Sequence, residues 1–144
     1  MATSELTGKT VLLTGATDGL GRALAADLAG RGATLLLHGR DEDRGSATLA
    51  EVAEASGSDR LSWYRADLAS LAHVRGLAET VGRDHHRLDV PVSNAGIGSD
   101  VPGGGVRQES ADGVELRFAV NYLAGFALTH LLWPSSRPHR PPAS

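Results

Sequence analysis

Residues Thr10–Gly21 read T-V-L-L-T-G-A-T-D-G-L-G. An apolar stretch, Val11–Leu13, comes first, and an alanine- and leucine-rich segment follows as far as Ala29, so the pattern predicts a strand, a tight turn and a helix. The turn contains three glycines, at Gly15, Gly19 and Gly21. Glycine lets the chain reverse, lets a ligand approach the backbone, and lets the helix pack close to the strand. The N–H groups and positive dipole end of such a helix suit a pyrophosphate. A turn that binds no ligand is the alternative.

Strand-like and helix-like segments alternate along the rest of the chain. This alternation predicts an α/β fold of the Rossmann type, in which a doubly wound parallel sheet of order 3-2-1-4 has right-handed crossovers and helices on both faces. The predicted strands are Thr10–Thr14, Thr34–His38, Leu61–Ala66 and Leu88–Ser93. The predicted helices are Leu20–Arg31, a segment between Asp41 and Gly57, Ser70–Gly82 and Asp112–Leu132.

Two of these helices have a pattern that predicts which face is buried. Leu20, Leu24 and Leu28 recur every four residues, so we expect this stripe to contact the sheet. The last helix opens on D-G-V-E at residues 112–115, which fits a capping box. Its expected apolar side holds Val120, Leu123, Ala127 and Leu131.

The length of the chain limits the sheet. Six strands of a doubly wound sheet need about 180 residues, and the sequence has 144. We therefore expect an incomplete Rossmann domain over residues 1–133. Residues 134–144 hold four of the six prolines and have no apolar periodicity, so a disordered tail is predicted there. A change of reading frame at Pro134 would also produce such a tail.

Composition excludes several classes of protein. The net charge of −3 gives no basic surface for a nucleic acid, and no apolar stretch approaches the length of about 18 residues that a membrane span needs. No cysteine is present, so neither a disulfide nor a thiolate metal site can form, and the histidines have no metal-ligand spacing. A cytoplasmic protein without nucleic-acid, membrane or metal partners is expected.

Three further motifs accompany the glycine turn T-G-x-x-x-G-x-G. Asp67-Leu68 follows the third strand, S-N-A-G at Ser93–Gly96 follows the fourth, and Asn121 lies within the last helix. Together these motifs resemble the short-chain dehydrogenase/reductase family over nearly all of residues 7–133. The phrase D-G-V-E-L-R-F-A-V-N-Y-L is most similar to the branch of retinol dehydrogenases and protochlorophyllide reductases.

The resemblance implies a nicotinamide dinucleotide as cofactor. It implies that Asp67 accepts from the adenine amino group, that the Asn94 segment braces the central strand, and that Asn121 belongs to the active site. Each also has a structural alternative: a helix cap for Asp67, an ordinary turn for Asn94–Gly96, and a helix asparagine for Asn121. The implied cofactor-binding residues are Thr14, Gly15, Thr17, Asp18, Gly19, Leu20, Gly21, Arg40, Asp67, Leu68, Asn94, Ala95 and Gly96.

The end of the second strand bears on the choice of cofactor. An acid there would bind a ribose hydroxyl and select NAD, but Gly39 occupies that position and Arg40 follows it. A guanidinium can pair with a 2′-phosphate, so the sequence favours NADP over NAD. Asp18 points the other way, because many NADP-preferring relatives have a basic residue there. A solvated surface arginine is the alternative for Arg40.

The catalytic pair of the family is missing. Its Tyr-x-x-x-Lys motif supplies the proton donor and the lysine that lowers the tyrosine pKa, whereas Lys9 is the single lysine here and precedes the first strand. We therefore expect an NADP-dependent oxidoreductase acting on a small carbonyl or alcohol, truncated and inactive alone, with a substrate only in a full-length form. A non-catalytic dinucleotide-binding module, a homodimer formed through the helix at residues 112–132, and a nonfunctional frameshifted fragment are the alternatives.

Overall fold

Four parallel strands form the sheet of the protein. A computed structural model of the chain describes residues 5–98 and 105–136. The strand order is β3-β2-β1-β4, as the alternating pattern predicts. In register, Leu12 of the central strand lies between Leu36 of β2 and Pro91 of β4. The strands are β1 (Thr10–Leu13), β2 (Thr34–Gly39), β3 (Leu61–Arg65) and β4 (Val90–Val92).

Helices cover both faces of this sheet. Alternate residues of β1 and β2 point to opposite sides, which gives two separate apolar clusters. Helices α1 and α2 pack over one face, where Leu13 and Leu37 are buried, and α3 and α5 pack over the other, where Leu12 and Leu36 are buried. The helices are α1 (Gly19–Gly30), α2 (Glu42–Ser56), α3 (Leu71–Asp84), α4 (Leu116–Phe118) and α5 (Ala124–Ser136).

Local capping fixes where α2 and α3 begin. The Asp41 carboxylate accepts from Arg44 N–H at 3.0 Å, and the Ser70 hydroxyl accepts from His73 N–H at 3.4 Å. Gly57 ends α2 in the left-handed conformation, with φ of 69°. Both caps lie at the carboxyl edge of the sheet, so the chain re-enters the helices beside the ends of β2 and β3.

The buried face of α1 differs from the prediction. Its buried residues are Gly21, Ala25 and Ala29, whereas Leu20 is 75% exposed. Leu24 and Leu28 are only partly buried at the side of the cluster. The helix lies so close to the sheet that only glycine and alanine fit between them. The leucine stripe therefore flanks the contact instead of filling it.

The last helix also differs from the prediction. The Asp112 carboxylate accepts from Leu71 N–H at 2.8 Å and so serves α3, while Glu115 caps α4 by accepting from Phe118 N–H at 2.7 Å. A π-helical turn then occupies Ala119–Leu123 before α5. This turn shifts the phase of the helix, and Leu131 becomes 42% exposed. The buried positions are Ala119, Ala124, Leu128 and Leu132.

Helix α5 continues to Ser136, three residues into the predicted tail. The rest of that tail, residues 137–144, and positions 99–104 after the fourth strand lie outside the described residues. The division into a domain at 1–133 and a tail at 134–144 stays a prediction. Across residues 5–98 and 105–136, every helix is too short or too polar to cross a membrane.

Candidate functional site

A cleft of about 1270 Å³ opens where the strands end at their carboxyl side. Its wall is formed by the glycine turn after β1, the ends of β2 and β3, and the loop after β4. Ligands of open α/β sheets bind at this edge. Twelve of the predicted residues line the cleft: Gly15, Thr17, Asp18, Gly19, Leu20, Gly21, Arg40, Asp67, Leu68, Asn94, Ala95 and Gly96.

Two glycines of the turn have no room for a side chain. A Cβ added at Gly21 would lie 2.1 Å from the Gly15 carbonyl oxygen and 2.5 Å from Asn94 Nδ2. At Gly15, where φ is 65°, it would lie 2.7 Å from Ala95 Cα. The turn, the start of α1 and the loop after β4 are therefore in direct backbone contact. This contact forms the base of the cleft.

Thr14 and Asn94 hold the glycine turn in place. The Asn94 Nδ2 group donates to the carbonyls of Thr14 at 3.2 Å and Gly15 at 3.1 Å. In return the Thr14 hydroxyl accepts from the N–H groups of Asn94 at 3.0 Å and Ala95 at 3.1 Å. Thr14 is buried behind the cleft and does not line it. Both residues of the pair therefore act as braces.

His38 is a buried support for the same turn. Its Nδ1 accepts from Gly15 N–H at 3.3 Å, and its Nε2 lies 2.9 Å from the Ala66 carbonyl, to which it donates. This pattern requires the neutral imidazole with the proton on Nε2. Burial lowers the pKa of His38, against the opposing effects of the Ala66 carbonyl and the Asp67 carboxylate. The sequence gives His38 no metal-ligand spacing, and its contact with Gly15 was missed; the signal is a polar residue at the end of a buried strand.

Acidification is expected to destabilise the protein through His38. Its pKa is lower in the folded state than in the unfolded chain, where it is about 6.5, so the unfolded state takes up the proton first. The stability that neutral His38 contributes is full above about pH 6.5 and falls as the pH drops towards the folded pKa. As the pH is lowered from about 7 to about 5, the melting temperature of His38→Asn should fall less steeply than that of the wild type. His86→Asn, at an exposed histidine, should retain the wild-type slope; an equal slope in both variants would contradict the assignment.

The start of α1 is left free for a ligand. Asp18 is the N-cap residue, yet its side chain makes no capping hydrogen bond. Its carboxylate instead pairs with the Arg44 guanidinium of α2. Arg44 also lines the cleft, so the negative charge of Asp18 is balanced by a cation at the same wall. Sequence reasoning missed Arg44, which lies four residues after Arg40 in the sequence.

The ends of β2 and β3 form the other wall. The Asp67 carboxylate accepts from Ala69 N–H at 2.9 Å, while Ser70 caps α3, so the helix-cap alternative for Asp67 is wrong. Leu68 is buried beside it. Arg40 is exposed at the rim, and its carbonyl accepts from Arg65 Nε at 3.0 Å. Cationic side chains therefore gather where these two strands end.

Asn121 holds the loop after β4. Its Oδ1 accepts from Ile97 N–H at 2.7 Å, and its Nδ2 donates to the Ile97 carbonyl at 2.9 Å. The side-chain amide thus pairs with one backbone unit in the way a neighbouring strand would. Asn121 lies in the π-helical turn and does not itself line the cleft, but Gly96 and Ile97 do.

Neither tyrosine lines the cleft. The Tyr64 hydroxyl donates to Asp84 Oδ2 at 2.9 Å, and burial together with this bond raises its pKa to about 12. Tyr122 is 59% exposed and stacks between Phe118 and Phe126, with ring centroids 5.2 and 6.3 Å away. The sequence has no Tyr-x-x-x-Lys pair that would place a tyrosine beside a lysine.

The profile of the short chain dehydrogenase family matches residues 9–139. Polyprenol dehydrogenase of Mus musculus is 40% identical over 134 residues, which cover 90% of this chain and 37% of that protein. Retinol dehydrogenase 14 of Homo sapiens is 40% identical over 138 residues, covering 87% and 40%. A metagenomic short-chain oxidoreductase, solved in complex with NADP, superposes with a TM-score of 0.75 at 30% identity, covering 90% and 57%.

The chain therefore belongs to the short chain dehydrogenase family, as its motifs indicate. Two of the curated relatives with which it aligns are a polyprenol and a retinol dehydrogenase, in agreement with the branch that the sequence resembles. The chain spans less than half the length of each of them.

Proposed function

We propose that this chain is the cofactor-binding part of an NADP-dependent oxidoreductase that transfers hydride between the nicotinamide and a small carbonyl or alcohol. The observation that carries the proposal is the glycine turn, where a Cβ at Gly21 would lie 2.1 Å from a backbone oxygen and where the N-cap residue Asp18 makes no side-chain capping hydrogen bond to α1. A turn so tightly braced and left uncapped suits a pyrophosphate. The NADP complex of a structural relative supports the same cofactor.

Each wall of the cleft has its own part in holding the dinucleotide. The N–H groups at the start of α1 donate to the pyrophosphate, and Asp67 with the Leu68 backbone binds the adenine edge. Arg40 pairs with the 2′-phosphate. Arg44 helps because its guanidinium offsets the negative charge of Asp18, which would otherwise repel the phosphate. When bound, the nicotinamide supplies or accepts the hydride. Substrate and catalytic proton donor belong to a full-length form, because these 144 residues contain no Tyr-x-x-x-Lys.

Replacing Arg40 with glutamine is expected to weaken NADPH binding about tenfold, since a hydrogen bond to a charged group of this kind contributes about 1.5–3 kcal/mol. Binding of NADH, which lacks the 2′-phosphate, should change little. Calorimetric titration of both nucleotides measures the two dissociation constants. Arg75→Gln removes a guanidinium from the exposed side of α3 and is the matched control. A wild-type chain that binds NADH more tightly than NADPH would refute the assignment of Arg40.

Self-association is a second candidate function, favoured by an aromatic ladder on the last helix. Phe118, Tyr122, Phe126 and His130 are spaced four residues apart, with neighbouring ring centroids 5.2 to 6.4 Å apart. Phe126 is 63% exposed. A second copy of the chain would cover this apolar stripe from Phe118 to His130 in a homodimer.

The dimer is tested by sedimentation of the wild-type chain and of Phe126→Ser. We expect the wild type to sediment as a dimer at micromolar concentrations and Phe126→Ser to dissociate to the monomer. Val106→Ser, at a residue that is 68% exposed and outside the ladder, is the control and should stay dimeric. A monomeric wild-type chain would exclude this function.

A further inference from the structure

Trp63 of β3 packs its indole against two glycines from different elements. A Cβ added at Gly39, the last residue of β2, would lie 2.5 Å from Trp63 Cη2. A Cβ added at Gly45 in α2 would lie 2.1 Å from Trp63 Cε2. Real side chains do not approach so closely, so neither position accepts a larger residue while the indole stays where it is.

The indole is held at two further points. Its flat side rests on the α2 backbone at Gly45, and its Nε1 donates to the Glu42 carboxylate at 3.1 Å. On the opposite side of Gly39, the Thr17 methyl group would lie 3.1 Å from the added Cβ. Position 39 is therefore enclosed between the indole and the glycine turn, and it is buried.

Position 39 is also where a dinucleotide-binding fold that uses NAD has its acid, since a carboxylate at the end of the second strand binds the ribose hydroxyls. The sequence shows only that Gly39 is not an acid. The structure adds the reason: an aspartate there would collide with a side chain that comes from the neighbouring strand and does not itself line the cleft.

We propose that Trp63 is a positioning residue that determines cofactor specificity. It keeps residue 39 free of a side chain, excludes the carboxylate that would favour NAD, and leaves the next residue, Arg40, as the side chain that meets the ribose. The inference rests on the proposed function, because it assumes that the dinucleotide occupies this cleft. Specificity is thus set from β3, two residues before the strand ends, and not only at the end of β2.

A double-mutant cycle tests the proposal by binding alone. Dissociation constants for NADPH and NADH are measured for the wild type, Gly39→Asp, Trp63→Val and the double variant. We expect the double variant to shift the ratio of the two constants towards NADH by about tenfold or more, because its carboxylate then reaches the ribose. Gly39→Asp alone should gain no affinity for NADH and should have a lower melting temperature. Gly39→Asp shifting the ratio as much as the double variant would overturn the proposal.

A second measurement needs no ligand. Gly39→Ala should lower the melting temperature in the wild-type background but not in the Trp63→Val background. If Trp63→Val does not fold, Trp63→Leu replaces it. Gly76→Ala, at a helical glycine with open space around it, is the control and should be tolerated in both backgrounds. If Gly39→Ala lowered the melting temperature equally with and without the indole, the proposal for Trp63 would be overturned. If the wild type bound neither nucleotide, the proposed function itself would be refuted.

Discussion

Replacing Gly21 with alanine is expected to abolish NADPH binding and to lower the free energy of unfolding by about 3 kcal/mol. The added methyl carbon would lie 2.1 Å from the Gly15 carbonyl oxygen and 2.5 Å from Asn94 Nδ2. Neither can give way alone, because the Asn94 amide is bonded to that same carbonyl and to the carbonyl of Thr14. The helix must move off the turn, and the N–H groups that would meet the pyrophosphate move with it.

The same helix provides the matched control. Gly30→Ala makes the identical substitution at the other end of α1, where nothing lies within 4 Å of the added carbon. We expect this variant to bind NADPH normally and to be as stable as the wild type or up to about 1 kcal/mol more stable. Urea unfolding and nucleotide titration measure both effects. If Gly21→Ala bound NADPH with wild-type affinity, the glycine turn would not be the phosphate site.

Catalysis requires groups beyond those that bind the cofactor. The purified 144-residue chain is expected to bind NADPH without reducing carbonyl compounds. General acid catalysis is worth about 10²–10⁴ in rate, and neither tyrosine lines the cleft. Tyr64 donates to Asp84 and has a pKa raised to about 12, while Tyr122 stacks in the aromatic ladder. The absence of the lysine partner also removes a contact to the nicotinamide ribose.

Oxidation of NADPH in the presence of a panel of aldehydes and ketones measures this prediction. The same preparation must first bind NADPH, so that an inactive sample is distinguished from an unfolded one. Carbonyl reduction by the wild-type chain would contradict the prediction. If that activity were lost in Tyr122→Phe, Tyr122 would be the proton donor. Tyr64→Phe is the companion variant, because it removes the other hydroxyl and leaves Tyr122 unchanged.

The strand order and the location of the cleft could be predicted from the sequence because they depend on local patterns. The apolar stretch of β2 and the starts of the helices that follow β2 and β3 are each read from a few neighbouring residues. Parallel strands joined by helices then leave few possible topologies. The glycines needed at the turn follow from the same local reasoning.

The helix faces could not be predicted in the same way, because they depend on distances between elements. Leu20 belongs to a regular apolar stripe, yet α1 approaches the sheet too closely for a leucine to fit. In the last helix the π-helical turn shifts the phase, so a count of 3.6 residues per turn leaves Leu131 on the wrong side. Both errors come from tertiary packing that periodicity does not encode.

The supporting residues of the site were missed for a related reason. His38 and Trp63 contact Gly15 and Gly39 across the sheet, and these contacts depend on strand register. Arg44 faces Asp18 only because α1 and α2 pack side by side. Motifs identify the residues that a ligand would touch, whereas the residues that hold them in place become visible only when the elements are assembled.

The brace between Thr14 and Asn94 also bears on the order of folding. Its hydrogen bonds join residues 80 positions apart in the chain, so the turn acquires its final shape only after a long loop has closed. Loop closure of this kind is slow compared with the formation of a local helix. During synthesis on the ribosome, the glycine turn emerges early, but it cannot form its hydrogen bonds to Asn94 until the fourth strand has been made. Nucleotide affinity should therefore arise late, together with the pairing of β1 and β4, and nascent chains that end before Asn94 should lack it.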